Sequence, residues 1–169
     1  MISPIVGGLI AYLAPQLASS MGTASFSVWD GEVPRYDTSG NAVGPQNALG
    51  SWPAISLEME EPGLHRTHVI GASAVKDEGY ILVQVWSTTR EQTEEVMGYV
   101  ETALESQVTV TIETDLGGPP NNPNYVIECS LETWWSGQDK YYRTANSQLL
   151  YRGDMRFATR VHSNAPTTQ

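Results

Sequence analysis

The sequence predicts an α+β domain, in which one mostly antiparallel sheet packs two helices on one face and carries long loops. Three observations predict it. A charge-free segment near the N-terminus has helical periodicity, and several later segments alternate apolar and polar residues as half-buried strands do. One strand also runs directly into a helix after Ser87. A sheet with one apolar face needs a covering layer, which two helices can supply.

Length and composition favour one compact domain. Of the 169 residues, 1–162 are expected to form it and 163–169 to form a flexible tail. An apolar fraction of 40% and five tryptophans exclude a disordered chain. The net charge of −10 argues against nucleic-acid binding and anionic membranes as partners. The single cysteine, Cys129, excludes an internal disulfide.

The first element is predicted to be a buried amphipathic helix. Ser3 and Pro4 have the pattern of an N-cap followed by proline at the first helical position. A signal peptide would need a basic segment before the apolar run, and none is present. Gly7, Gly8 and Pro15 interrupt the run, which argues against a membrane anchor. The predicted apolar face consists of Ile5, Val6, Leu9, Ile10, Leu13 and Leu17.

Strands and one long loop follow. Residues 26–29 are compatible with a short strand, whereas residues 30–53 are rich in turn-forming residues and predict a loop. Ile55, Leu57 and Met59 alternate with polar residues as in a half-buried strand. The pattern of residues 65–77 does not distinguish strand from loop, and residues 80–86 predict another strand.

The second helix follows residues 80–86 and begins with a capping signal. Thr88 and Glu91 have the spacing of a capping box. Its predicted buried stripe is Val96, Met97, Val100, Ala103 and Leu104. Five glutamates fall mostly outside that stripe: Glu91, Glu94, Glu95, Glu101 and Glu105.

The C-terminal part predicts three more strands and a second loop at residues 114–124. The last strand has an apolar side with Met155 and Phe157 and a basic side with Arg152, Arg156 and Arg160. In the strand before it, Ile127, Cys129 and Leu131 share one side, and Glu128 and Glu132 share the other. We therefore expect a polar sheet face on which Glu128 and Glu132 lie opposite Arg152 and Arg156.

No catalytic, cofactor or metal site is predicted. His65 and His68, with Glu58, Glu60 or Glu61, do not have the ligand spacing of a zinc site, and solvated loop histidines explain them better. Cys129 is expected in the core, where a thiol is inert. Phosphate-binding loops, dinucleotide fingerprints and nucleophile elbows are absent from the sequence. We therefore expect a protein that is not an enzyme and that uses no cofactor.

Charge is segregated along the chain, which leaves two interpretations open. The acidic helix residues and the basic last strand are either two solvated surfaces that neutralise each other within one copy, or a head-to-tail interface between copies. In the second case we expect a subunit interface that also uses a pair of adjacent tryptophans. Its residues would be Glu91, Glu94, Glu95, Glu101, Arg152, Arg156, Arg160, Trp134 and Trp135.

The chain resembles the tail-completion, or tail-terminator, proteins of long-tailed bacteriophages. The resemblance lies in the charge-free first helix, the strand WPAISLEM, the strand-to-helix segment YILVQVWSTTREQTEEVMGYVETAL and the last strand LLYRGDMRFATRVH. It implies a structural virion protein whose copies form a ring, six by resemblance, that caps the tail tube and joins it to the head. The implied partners are the tail tube protein and the connector or neck proteins, with DNA only passing through the lumen.

The resemblance further implies assembly in the host cytoplasm, a final position at the tail and neck, and no membrane partner. Two alternatives remain at this point. The chain could be another neck or tail-tube component, since such proteins share its size and acidity. It could also be a small ligand-binding domain or hydrolase with a site in the 30–50 loop.

Overall fold

The α+β class is confirmed by a computed structural model of the chain. It describes residues 4–22, 26–30, 53–60, 65–68, 75–105, 108–111, 124–143 and 149–163. Within these ranges the elements are α1 (Pro4–Met21), β1 (Ser27–Asp30), β2 (Ala54–Met59), β3 (His65–His68), β4 (Val75–Ser87), α2 (Arg90–Leu104), β5 (Val108–Thr111), β6 (Asn124–Arg143) and β7 (Leu149–Ser163). The predicted loops at 30–53 and 114–124 and the tail at 163–169 lie almost wholly outside the described residues.

The strands form one sheet in the order β1-β2-β4-β7-β6-β5, and β3 pairs with β4 beyond the end of β2. Every pairing is antiparallel except that of β1 with β2. The long strands β4, β7 and β6 form the centre, since β7 pairs with β4 from Ser87 back to Lys76 and with β6 over most of its length. The sheet is therefore mostly antiparallel, as the alternating patterns predict.

Both helices pack on the same apolar side of the sheet. Helix α1 begins at Pro4, as predicted, and buries Val6, Leu9, Leu13 and Leu17. It contacts β1 and β2 near one edge of the sheet and β5 at the other, while α2 contacts β4, β7 and β6. The shared core contains the inward side chains of β2, β4, β6 and β7 together with both helix faces.

The start of α2 differs from the prediction by one residue. Its N-cap is Thr89, whose side chain accepts a hydrogen bond from the amide of Gln92 at 3.2 Å, so the predicted Thr88–Glu91 capping box is wrong. The reason lies in Ser87, the last residue of β4. Its hydroxyl donates to the Thr89 carbonyl at 2.6 Å and lies 2.7 Å from the Thr93 hydroxyl. These bonds fix the turn so that the helix begins after Thr89.

The predicted alternation in β2 holds for Ile55 and Leu57, which are fully buried, but Ser56 is buried as well. Ser56 was expected on the polar side of the sheet. At this corner that side is covered, because Trp86, opposite the neighbouring Ala54, is buried and donates its indole N–H to the buried Asp139 at 3.1 Å. The polar face is therefore closed at one end.

Candidate functional site

The side of the sheet that carries neither helix, called here the open face, holds an ordered cluster around Arg156. The guanidinium of Arg156 donates to Glu60 at 2.8 Å and to Glu132 at 3.2 Å. It also lies over the ring of Tyr80, 3.7 Å from the ring centroid. The hydrogen bond to Glu60 raises the pKa of Arg156 above its ordinary value. Strands β4, β6 and β7 and the residue after β2 thus supply one group, in which two carboxylates and an aromatic ring surround a single guanidinium.

The other two basic residues of β7 also have partners within the chain. Arg160 lies 3.2 Å from Glu78, and Arg152 lies 3.1 Å from Asp154, which also accepts from Gln84 at 2.9 Å. The Nε atom of Arg152 is buried and has no hydrogen-bond partner among the described residues. Each basic side chain predicted on this face is therefore held by carboxylates of the same sheet.

The expected pairing of glutamates with arginines is correct for one pair and wrong for the other. Glu132 contacts Arg156 as predicted, but Glu128 lies opposite Arg160 in the register of β6 and β7. Arg152 lies opposite Gly137 instead. The register shifts between Leu131 and Thr133, where β6 has an extra residue, and a one-residue shift of this kind cannot be read from the alternating pattern alone.

Trp134 and Trp135 lie on opposite sides of the sheet, as their adjacency predicts. Trp134 pairs with the buried Met155 and Trp135 pairs with Asp154, yet their exposed fractions are 44% and 47%. Arg152 lies over the ring of Trp135 at 5.5 Å from its centroid. A side chain at Gly137 would place its Cβ 2.6 Å from the Trp135 ring, so this glycine leaves room for the indole. Trp135 is thus exposed but fixed in position.

The glutamates of α2 lie outside its buried stripe, which consists of Thr93, Val96, Met97, Val100 and Leu104. Glu94 accepts from Ser136 of β6 at 2.6 Å and pairs with Arg90 at 2.8 Å. The Ser136 hydrogen bond, followed by the Arg90 hydrogen bond, lowers the pKa of Glu94.

The other predicted glutamates of α2 remain on its outer side. Glu95 accepts from the Tyr99 hydroxyl at 2.7 Å, which raises the pKa of Tyr99. Glu91 is exposed and Glu101 is half-buried. Within one copy these glutamates make none of the ion pairs described for the β7 arginines.

Sequence reasoning missed three partners on the open face: Glu60 and Tyr80, which hold Arg156, and Asp139, which holds Trp86. The charge pattern of β7 predicts that arginines need partners. Only the strand order, which places β4 and β6 on either side of β7 and β2 next to β4, shows which residues they are.

The described residues do not form a recognisable chemical site. No group of three His, Cys, Asp or Glu residues among them could hold a metal ion. The side chains of His65 and His68 and the whole of Glu61 lie outside the described part of the chain. Cys129 is in the core, and burial raises the pKa of its thiol to about 11, which leaves it protonated at neutral pH.

Two depressions on the sheet, of about 360 and 320 Å³, share Ala158 and Arg160 in their walls. Neither is enclosed, and the nucleophilic side chain in the wall of the second one is the thiol of Cys129, whose raised pKa keeps it protonated at neutral pH. Ligand sites are usually concave pockets in which a few polar groups converge and from which water is excluded. Neither depression has this form.

The chain was compared with known families, proteins and structures. No protein-family model and no curated protein matches the sequence. A chain in the virion of a native gene transfer agent particle is similar in structure, with a TM-score of 0.46, 15% identity, and coverage of 92% of this chain and 96% of that one. Among the described helices, none has the length and apolar character needed to cross a bilayer.

Proposed function

We propose that the chain is a structural virion protein, the tail-terminator subunit of a long-tailed bacteriophage, and that it is not an enzyme. Its copies would form a ring that caps the tail tube and contacts the neck proteins after assembly in the host cytoplasm. The observation that carries the proposal is the exposure of Trp134 and Trp135 in the middle of a long strand. Large exposed apolar groups held in position favour burial against another protein.

The sequence segments that resemble this family support the proposal in a second way. The segment from Tyr80 to Leu104 forms one strand-to-helix unit, in which Ser87 bonds to the turn and Trp86 bonds to Asp139. The net charge of −10 also suits a ring whose lumen lets DNA pass without binding it.

For the subunit interface we propose that the outer side of α2 in one copy faces the basic strand β7 of the next. Glu91, Glu94, Glu95 and Glu101 would supply the acidic side, and Arg152, Arg156 and Arg160 the basic side, with Trp134 and Trp135 beside them. Arg160 suits this role because 59% of its side chain is exposed even with Glu78 as partner. Additional carboxylates from a neighbour would join these pairs as a network, and networks stabilise more than isolated pairs.

The test is the assembly state of the purified protein, alone and mixed with tail tubes of the parent virion, by mass measurement and imaging of the tube ends. We expect a ring, or added density at one tube end. Glu91→Lys should weaken ring formation by about tenfold, since it places like charges together. Glu58→Lys is the matched control, because Glu58 is also an exposed glutamate but lies on β2.

A monomer that ignores tubes would contradict the proposal. Rings that leave tube ends uncapped would instead indicate another component of the neck. Equal ring formation by both variants would leave the proposed role standing and contradict the placement of α2 in the interface.

A further inference from the structure

Strand β6 has an edge that no other described strand covers. β5 pairs with β6 only at residues 124–127. Residues 130–138 pair with β7 on one side, and no described strand pairs with them on the other. This stretch is called here the β6 edge. An uncovered strand edge presents backbone donors and acceptors that can pair with a further strand.

The β6 edge carries the exposed aromatic surface as well. Four consecutive residues in it, 132–135, are exposed, and they include Trp134 and Trp135. Trp135 is already held between Gly137 and Arg152. Burial of this ring against another protein would therefore cost little side-chain entropy, which is the advantage of a preorganised contact.

The opposite edge of the same sheet offers a strand of matching direction. β1 pairs with β2 on one side, and no described strand lies on its other side. Because β1 is parallel to β2 and the next three pairings are antiparallel, β1 runs antiparallel to β6. If a second copy continued the sheet in the same orientation, its β1 would meet the β6 edge as an antiparallel strand.

The position of β1 along the strand direction also matches that of the β6 edge. Residues paired across neighbouring strands form rows that cross the sheet. Following the pairings from strand to strand, Val28 lies in the row that ends at Ser136, and Asp30 lies in the row that ends at Trp134. β1 therefore lies level with the tryptophan part of the β6 edge. A copy placed beside the first without a shift along the strands would bring these four-residue stretches together.

We propose that the β6 edge, at residues 134–137, pairs with β1 of a second copy of this chain, so that the sheet continues from subunit to subunit. Val28 of one copy then lies opposite Ser136 of its neighbour. This contact uses two different surfaces, so it is heterologous and closes into a ring when the rotation allows. The inference rests on the proposed ring but gives it a different contact from the one between α2 and β7. A continued sheet places the helices of both copies on one side and the arginines of β7 on the other, so the two contacts exclude each other.

The test is disulfide cross-linking between engineered cysteines. Val28→Cys and Ser136→Cys are combined in one chain, and the protein is oxidised with copper phenanthroline. The assembly state is determined by mass measurement at the same protein concentration. Directly opposed residues on antiparallel strands have Cβ atoms close enough for a disulfide. Cys129 stays as an internal control, because its thiol is buried and protonated.

We expect covalent oligomers on a denaturing gel for the double variant and none for either single variant. Val28→Cys with Ser130→Cys is the matched control. Ser130 is exposed on the same strand, but it pairs with Ala158 and so lies in a different row from Val28 and Ser136. This control should remain uncross-linked.

Three results would overturn the inference. Dimers from Ser136→Cys alone would mean that β6 pairs with a second β6. A ring by mass without cross-links would contradict the strand pairing and leave the proposed function intact. Failure both to assemble and to cross-link would contradict the two together.

Discussion

The two faces of the sheet are built from the same strands but are held by different interactions. On the helix-covered face, Val83 and Phe157 are fully buried in one apolar core. On the open face, Arg156 and Tyr80 are held by an ion pair and a cation–π contact at the surface. Core packing contributes kilocalories per side chain, whereas partly exposed pairs contribute little each. The covered face should therefore determine stability more than the open face does.

The largest test of this difference is Phe157→Ala compared with Tyr80→Ala. Phe157 is fully buried, so we expect its loss to lower the free energy of unfolding by about 3–5 kcal/mol. Tyr80 is 38% exposed, and Arg156 keeps Glu60 and Glu132 without it, so the cost should be below about 1 kcal/mol. Urea denaturation measures both. Equal losses would show that the open face also determines stability.

A smaller effect is expected where α2 approaches the covered face. Gly153 is buried under α2, and a Cβ there would overlap the side chain of Met97. Gly153→Ala should therefore lower the free energy of unfolding by about 1–3 kcal/mol through overpacking.

Gly98→Ala is the control for Gly153→Ala. Gly98 is in α2 with nothing within 4 Å of its Cβ position, so alanine should stabilise the protein by about 0.5–1 kcal/mol. Thermal denaturation of both variants distinguishes close packing from backbone entropy. Stabilisation by both substitutions would mean that Met97 moves aside without cost.

The covered face could be predicted from the sequence because burial there follows periodicity. The alternation of Met155, Phe157 and Val161 and the helical spacing of Val96, Met97 and Val100 are both local patterns, and all of these residues are buried. The predicted N-cap of α2 differs from the observed one by one residue, because two successive threonines can both cap a helix. Only the bonds of Ser87 decide between them.

The open face could be predicted only in part, because its contacts join residues far apart in sequence. The charges of β7 predict a polar face, but the choice of Glu60 as partner of Arg156 depends on the order of the strands. The extra residue near Glu132 changes the register and is not visible in the pattern. The β6 edge likewise exists because β5 pairs only with the first four residues of β6, and periodicity does not predict how far that pairing extends.

The smallest effect is expected at the hydrogen bond that the Ser136 hydroxyl of β6 donates to the Glu94 carboxylate of α2. A carboxylate that accepts hydrogen bonds is stabilised in its charged form, which lowers its pKa. The resulting contribution to stability is present above the ordinary carboxyl pKa of 4.5 and is lost as the pH falls through the lowered value. Acid should thus weaken this link between helix and sheet.

Ser136→Ala should return the pKa of Glu94 toward its ordinary value, and titration of the Glu94 carboxyl by NMR measures the change. Arg90→Ala is the control. It should raise the same pKa by less, because the Ser136 hydrogen bond is the larger of the two causes. The reverse order would mean that the ion pair within α2, and not the bond to β6, sets the charge of Glu94. The acid-sensitive contact would then lie within α2, and acid would not weaken the attachment of α2 to β6.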